Sequence, residues 1–381
     1  MDFELSEEQK MLKEAVREFV EKEIKPYGKE YDEKAEYPWS IFRKAAKLGY
    51  IGVDMPEEYG GAGLDYVSTV IVAEEFTRGD SGIGSAVLTS ILGCPMLKYF
   101  GTEEQKDKYL RAVLEGKTTS GIAITEPEAG SDVAAIRTKA ERTEGGWILN
   151  GTKTFITNGS ISDWVVVLAK TKPEAGYKGI SAFIVETNWD GYEARKIEKM
   201  GLRCHDTAEV FLKNVFVPEK NLVGKENQGF YQLMRFFNES RVLVGAIQLG
   251  MAVGAYERAL EYAKQRKAFG KPLIKHQAIQ FKLADMWKDI EAARLLVYKA
   301  AWLIDKGKPD PGLSSAAKLY ASEVAIKVTY EAVQIHGGYG YSKEYDVERY
   351  YRDARVGTIY EGTSEIQRLI IARRIAGELH F

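Results

Sequence analysis

The sequence has little of what several protein classes require. It contains two cysteines, Cys94 and Cys204, in 381 residues, so no disulfide framework holds it together. Its four histidines are scattered, which leaves no His/Cys spacing suited to a metal. Lys and Arg number 53 against 55 Asp and Glu, a net charge of −2, and no basic excess exists to attract nucleic acid or an anionic membrane. No run approaches the roughly 18 apolar residues of a membrane span. No GxGxxG follows a strand-like run and no GxxxxGK[ST] occurs, so a nicotinamide Rossmann domain and a P-loop are unsupported. The start, Met1-Asp2-Phe3-Glu4-Leu5, lacks the basic and apolar regions of a signal peptide. The end, Glu378-Leu379-His380-Phe381, is not a peroxisomal address. The expected location is the cytoplasm, or the mitochondrial matrix if a transit peptide is omitted.

What is there is ordinary for a globular chain: 45% hydrophobic and 28% charged residues, with length for two or three domains. Ser6-Glu7-Glu8-Gln9 fits a capping box ahead of Leu12, Ala15, Val16, Phe19 and Val20 at helical spacing. Pro26 is expected to end that helix, Pro38 to open the next and Gly49 to close it. Helical patterns follow near residues 66–78 and 83–100, and Thr102-Glu103-Glu104-Gln105 caps another that ends near Gly116. Near residue 120 the texture changes. Trp164–Leu168, Ile180–Val185 and Val210–Val217 read as strands, and Asn150-Gly151 predicts the type I′ turn of a hairpin. Residues 228–268, 276–305 and 313–335 carry apolar positions three or four apart, as in the long helices of an antiparallel bundle. Gly245, Gly250 and Gly254 inside the first read as close helix–helix contacts. The boundaries read as 1–120, 121–227 and 228–381.

Four segments could carry chemistry. Ile122 to Asp132 runs from a strand into a Pro/Gly/Ser turn, with backbone N–H groups and hydroxyls for a polar ring edge or phosphate. Phe155-Ile156-Thr157-Asn158-Gly159 puts an aromatic and a hydroxyl two apart, on one face of a strand. Gln334-Ile335-His336-Gly337-Gly338-Tyr339-Gly340-Tyr341, with Glu344, Arg349 and Asp353 beyond, ends a helix on bare backbone. Tyr360-Glu361-Gly362-Thr363-Ser364-Glu365 sets a carboxylate in a short loop before a capped helix. Taken singly, these also read as a turn, a half-buried strand, a glycine stop and a solvated Glu.

In order and spacing they resemble the two signatures of the acyl-CoA dehydrogenase family, Ala123 to Ala135 and Gln334 to Asp353. The resemblance runs end to end and takes in Phe237-Asn238-Glu239-Ser240-Arg241, Arg266-Lys267-Ala268-Phe269-Gly270-Lys271-Pro272 and His276-Gln277. It implies an α+β multidomain fold: an N-terminal helical domain, a central β-barrel or sandwich-like domain and a C-terminal antiparallel four-helix bundle. It implies a homotetramer of two dimers, FAD as cofactor, electron-transferring flavoprotein as acceptor, and a place in fatty acid metabolism such as β-oxidation. Ile122, Ile124, Thr125, Gly130 and Ser131 match residues lining the flavin, and Phe155 and Thr157 match contacts to the isoalloxazine. Arg266, Phe269 and Gln277 match residues that reach the diphosphate side from a neighbouring subunit. Gln334, Gly337 and Gly338 match the surroundings of the adenosine half, and Thr363 and Glu365 the last cofactor contacts.

Glu361 matches the catalytic base, which removes the α-proton of an acyl-CoA thioester while hydride leaves Cβ for flavin N5. That proton is weakly acidic. The base therefore needs a dry pocket, and the thioester carbonyl needs oxyanion-type donors, in relatives the N–H of this Glu and the ribityl 2′-hydroxyl. Ser131, Asn238, Arg241, Tyr360 and Gly362 match substrate contacts. Isovaleryl and long-chain types carry the base where Ser240 stands, and a serine cannot serve. The chain departs from the family pattern at Phe155, where many relatives have Trp, and at His205, read as a surface residue rather than a CoA-phosphate contact. Residues 83–90 hold no Arg for a second carboxylate, and small residues at 84–86 with Leu88 predict a short-to-medium, branched or cyclic acyl chain. The alternatives are a same-fold flavin oxidase or monooxygenase on a non-CoA substrate, and a non-enzymatic helical scaffold. The oxidase type has Asp where Glu361 stands, and a scaffold leaves the glycine-rich segments unexplained.

Overall fold

A computed structural model describes residues 4–378; the terminal residues read above for targeting lie, in part, outside the described residues. The chain begins with helices α1 (Glu7–Phe19), α2 (Gly28–Lys34), α3 (Trp39–Lys47), α4 (Tyr66–Gly79), α5 (Ser81–Leu88), α6 (Cys94–Phe100), α7 (Glu103–Gln105) and α8 (Arg111–Leu114). Seven strands follow: β1 (Ser120–Ala123), β2 (Lys139–Thr143), β3 (Gly146–Thr157), β4 (Trp164–Lys170), β5 (Ile180–Glu186), β6 (Tyr192–Lys196) and β7 (Thr207–Pro218). Then come α9 (Gly229–Gln265), the small hairpin β8 (Lys267–Ala268) and β9 (Lys271–Pro272), α10 (Gln277–Asp305), α11 (Pro311–His336), α12 (Val347–Ala354) and α13 (Ser364–Ile375). Among the described residues no helix is long and apolar enough to cross a membrane, and no His/Cys/Asp/Glu group could hold a metal.

Local signals explain most helix ends. Gln9 N–H donates to Ser6 Oγ at 3.2 Å while Ser6 N–H donates to Gln9 Oε1 at 3.1 Å, a reciprocal cap on α1. Thr102 and Gln105 repeat the device before α7. Pro26 does not end the first helical run. The chain passes through a π turn (Val20–Ile24) and a 3₁₀ turn (Lys25–Tyr27), with Pro26 in the first turn, where its missing N–H costs nothing. The expected helix over 83–100 is two helices, because Ile91 between them bridges to Ser120, the first residue of β1.

The sheet runs β1-β4-β2-β3-β7-β6, with β5 also on β4. β1 lies parallel to β4; β3 pairs antiparallel with β2 and β7. Asn150-Gly151 is not a hairpin turn. It lies inside β3 at a register shift against β7, where Asn150 Oδ1 accepts from Asn214 N–H at 2.8 Å. The β2–β3 turn falls instead at Glu144-Gly145, with Gly145 at φ +75°.

In the C-terminal bundle α11 packs against α9, α10 and α13, and α9 also packs against α4. The glycines of α9 set that spacing. A Cβ on Gly250 would lie 2.3 Å from Glu74 O, and one on Gly254 2.4 Å from Arg78 O, both in α4. α12 ties the three parts together. Asp353 accepts from Leu202 N–H of the β region at 2.5 Å and from Ser81 Oγ of α5 at 2.6 Å, and Arg349 Nη2 lies 2.7 Å from Asp80.

Candidate active site

Between α12 and α13 the backbone makes a tight left-handed turn, with Glu361 at φ +53° and Gly362 at φ +91°. For a non-glycine residue this costs on the order of 1–3 kcal/mol, so neighbours must hold it. Gln367 Nε2 donates to Glu361 O at 3.0 Å and to Gly362 O at 2.9 Å. Lys318 of α11 donates from Nζ to Gly362 O at 2.7 Å. Thr363 caps α13. The turn aims the half-buried Glu361 side chain at α9, where Ser240 Oγ donates to its Oε2 at 3.0 Å. Burial, the largest influence, raises the Glu361 carboxyl above its ordinary range; the Ser240 hydrogen bond and the charges of Arg241 and Lys318 oppose it.

Arg241 is buried with its guanidinium 4.9 Å over the Phe237 ring. Burial pulls it down to about 10, and its Nε has no partner among the described residues. An orphaned buried donor beside a carboxylate suits a polar ligand. Asn238 is half-buried one residue before Glu239 on the same helix. Tyr360 OH accepts from Gln248 Nε2 at 3.2 Å. Glu365 is exposed at the start of α13, held below the ordinary carboxylate range by its own backbone N–H and the Thr363 hydroxyl.

On the β side, Ile122 and Ile124 are buried, while Thr125, Gly130 and Ser131 face outward to varying degrees. Thr154 N–H donates to Thr125 O at 2.9 Å, which sets the Thr125 loop against the end of β3. Phe155 stands there 64% exposed at φ +58°, at a second register shift. Simple alternation with Thr157 therefore does not hold at Phe155; a bulge presents the ring. Behind the loop, Lys153 is fully buried and donates to Ile124 O at 2.9 Å and to Glu126 at 2.8 Å.

A third group of expected residues gathers at and near a cleft that Glu361 does not line. Arg266 sits 5.6 Å from the Tyr339 ring, in a cleft of about 620 Å³ that Gly337 and Gly338 also line. Gln277 and Gln334 are exposed, and Phe269 projects from the β8–β9 hairpin 97% exposed. A Cβ added at Gly130, Gly337 or Gly338 meets nothing within 4 Å. Bare glycine backbone, an arginine with no carboxylate paired to it among the described residues, and exposed aromatics fit a planar, phosphate-bearing cofactor such as FAD.

His205 is not a surface residue. It is buried, burial pushes its imidazole down to about 3, and its Nε2 has no partner among the described residues. Sequence reasoning also missed Lys318, Gln248 and Gln367. For Lys318 a signal existed: it shares its buried helix face with Ser314, Ser315, Ala321, Ser322 and Ala325.

Three family models match in series. They are acyl-CoA dehydrogenase N-terminal domain over residues 6–117, middle domain over 121–215 and C-terminal domain over 227–376. An acyl-CoA dehydrogenase of Bacillus subtilis is 46% identical over 376 residues, covering 98% of this chain and 99% of that protein. The CarC subunit of a caffeyl-CoA reductase–Etf complex of Acetobacterium woodii is 45% identical, covering 96% and 98%. The structure of butyryl-CoA dehydrogenase from Megasphaera elsdenii superposes with a TM-score of 0.95 at 41% identity, covering 99% of this chain and 100% of that one. With three consecutive domains matched and relatives aligned end to end, the chain belongs to the acyl-CoA dehydrogenase family of flavoprotein oxidoreductases.

Proposed function

We propose that the chain dehydrogenates an acyl-CoA thioester to the trans-2-enoyl-CoA, with Glu361 as the base that takes the α-proton. The observation that carries this reading is the Glu361 turn: a carboxylate raised by burial, aimed at Ser240 and flanked by Arg241. FAD, when bound, supplies the acceptor for the hydride leaving Cβ. The remaining work falls to the chain. Ser240 orients Oε2, and the Glu361 N–H donates to the thioester carbonyl. Arg241 and Asn238 hold the polar thioester chain, with Ser131, Tyr360 and Gly362 beside it. Ile122, Ile124, Thr125, Gly130, Ser131, Phe155 and Thr157 hold the isoalloxazine half of the cofactor, and Thr363 and Glu365 make its last contacts. Arg266, Phe269 and Gln277 reach the diphosphate side across a subunit boundary, and Gln334, Gly337 and Gly338 surround the adenosine half. The 97% exposure of Phe269 supports a homo-oligomer, with a tetramer as the proposed state.

The absence of Arg over residues 83–90 supports a monocarboxylic, short-to-medium, branched or cyclic acyl chain. Best turnover with glutaryl-CoA overturns that. The acceptor proposed is an electron-transferring flavoprotein, as the name of the Acetobacterium relative supports. That same name supports a second reading, in which the cell runs the reaction toward reduction of an enoyl-CoA.

Anaerobic titration with a panel of acyl-CoAs, followed by flavin absorbance, tests the reading. The expected result is bleaching by one saturated acyl-CoA, lost in Glu361→Gln. A yellow protein that no acyl-CoA bleaches overturns it and favours a same-fold flavin enzyme with a non-CoA substrate.

A further inference from the structure

We infer that Lys318 is a positioning residue for this reaction: through the Gly362 carbonyl its ammonium holds the left-handed Glu361–Gly362 turn, and its charge favours the ionised form of the Glu361 carboxylate. The inference rests on Glu361 being the base. Lys318 is 0% exposed, in the middle of a helix face otherwise made of Ser and Ala. A buried ammonium is expensive and is retained only where something answers it. Among the described residues its one hydrogen-bond partner is Gly362 O at 2.7 Å, and no carboxylate lies within ion-pair distance. Its charge is therefore not consumed by a salt bridge but acts on Glu361 from across the turn. Burial pulls Lys318 down to about 8.

The charged groups that face Glu361 are Arg241 from α9 and Lys318 from α11; the charge of Glu365 of α13 also acts on Lys318. The geometry separates two duties. Gln367 also grips the turn, through both carbonyls, but carries no charge. Losing Gln367 loosens the turn alone. Losing Lys318 loosens it and removes a cation, so Glu361 holds its proton to higher pH.

The test compares Lys318→Met and Gln367→Ala in the holoenzyme. Lys318→Met is expected to slow flavin reduction at least tenfold and to move the acid limb of its pH profile up by about one unit. Gln367→Ala is expected to slow reduction with the acid limb in place. Infrared titration of the Glu361 carboxyl, with Glu361→Gln as the subtraction reference, must show the same upward shift in Lys318→Met. Should Lys318→Met fail to fold, Lys318→Gln carries the same expectation. An unmoved carboxyl titration, or a rate within twofold of the parent, overturns the inference. If Glu361→Gln still bleaches with acyl-CoA, the assignment of the base fails instead, whatever Lys318 does.

Discussion

Two buried lysines, one in the sheet and one in the bundle, differ in one respect. Lys153, in the sheet, and Lys318, in the bundle, are both 0% exposed, and burial pulls both down to about 8. Each donates to the carbonyl of a loop that carries expected site residues, Ile124 O in one case and Gly362 O in the other. Lys153, however, also has Glu126 at 2.8 Å, and Glu126 in turn accepts from Arg137 N–H, Thr138 N–H and the Thr138 hydroxyl. That carboxylate is fully engaged and is held below its ordinary range. Glu361 is held by one hydroxyl and is pushed the other way. The same cation beside a carboxylate fixes structure when the acid is saturated with donors. It leaves a base when the acid has a single donor and a dry wall.

Five substitutions break or sharpen this contrast, in falling order of effect. Glu361→Gln removes the free acid and should slow acyl-CoA bleaching by about 10²–10⁴-fold while flavin content is kept. Lys153→Met breaks the saturated pair and leaves Glu126 buried without its cation. Denaturant unfolding should report a loss of about 3–5 kcal/mol, part of it recovered by adding Glu126→Leu. Gly250→Ala drives a methyl into the Glu74 carbonyl and Thr77, and should cost about 1–3 kcal/mol in thermal unfolding. Gly338→Ala, which faces open space, should leave stability within about 0.5 kcal/mol and weaken flavin retention instead. Ser240→Ala is the smallest. Losing its hydrogen bond raises Glu361 further, so the protonated, inactive form persists to higher pH. The rate loss should therefore grow as pH falls, and vanish above the limb; a loss independent of pH contradicts the arrangement.

How much of this was legible depended on whether the information was local. The capping boxes at Ser6 and Thr102, the three long helices and the Glu361 loop all announce themselves within a few residues. Asn150-Gly151 did not, because the same φ preferences serve a bulge as well as a turn, and Asn214 on a distant strand decides which. Pro26 stands in a first turn only because the helix before it unwinds through a π turn. His205 reads as a surface residue, and nothing near it in sequence tells of the burial that neutralises it. Lys318 was hidden by its type. A lysine on a helix is usually solvated, and only its place on the Ser/Ala face marked it. The projection of Phe269 into solvent follows from the β8–β9 hairpin, which no spacing reveals.

The glycines of α9 have a bearing on how the molecule comes apart. Gly250 and Gly254 bring α9 so close to α4 that backbone meets backbone, while the other side of α9 is packed by α11. One helix is thus the common wall of the N-terminal helices and the C-terminal bundle. Neither layer has a partial melting route that spares the other, because shedding α4 strips α9 of half its cover. Calorimetry should therefore record the two helical regions leaving in a single transition, with proteases cutting exposed loops long before they find an N-terminal fragment that persists.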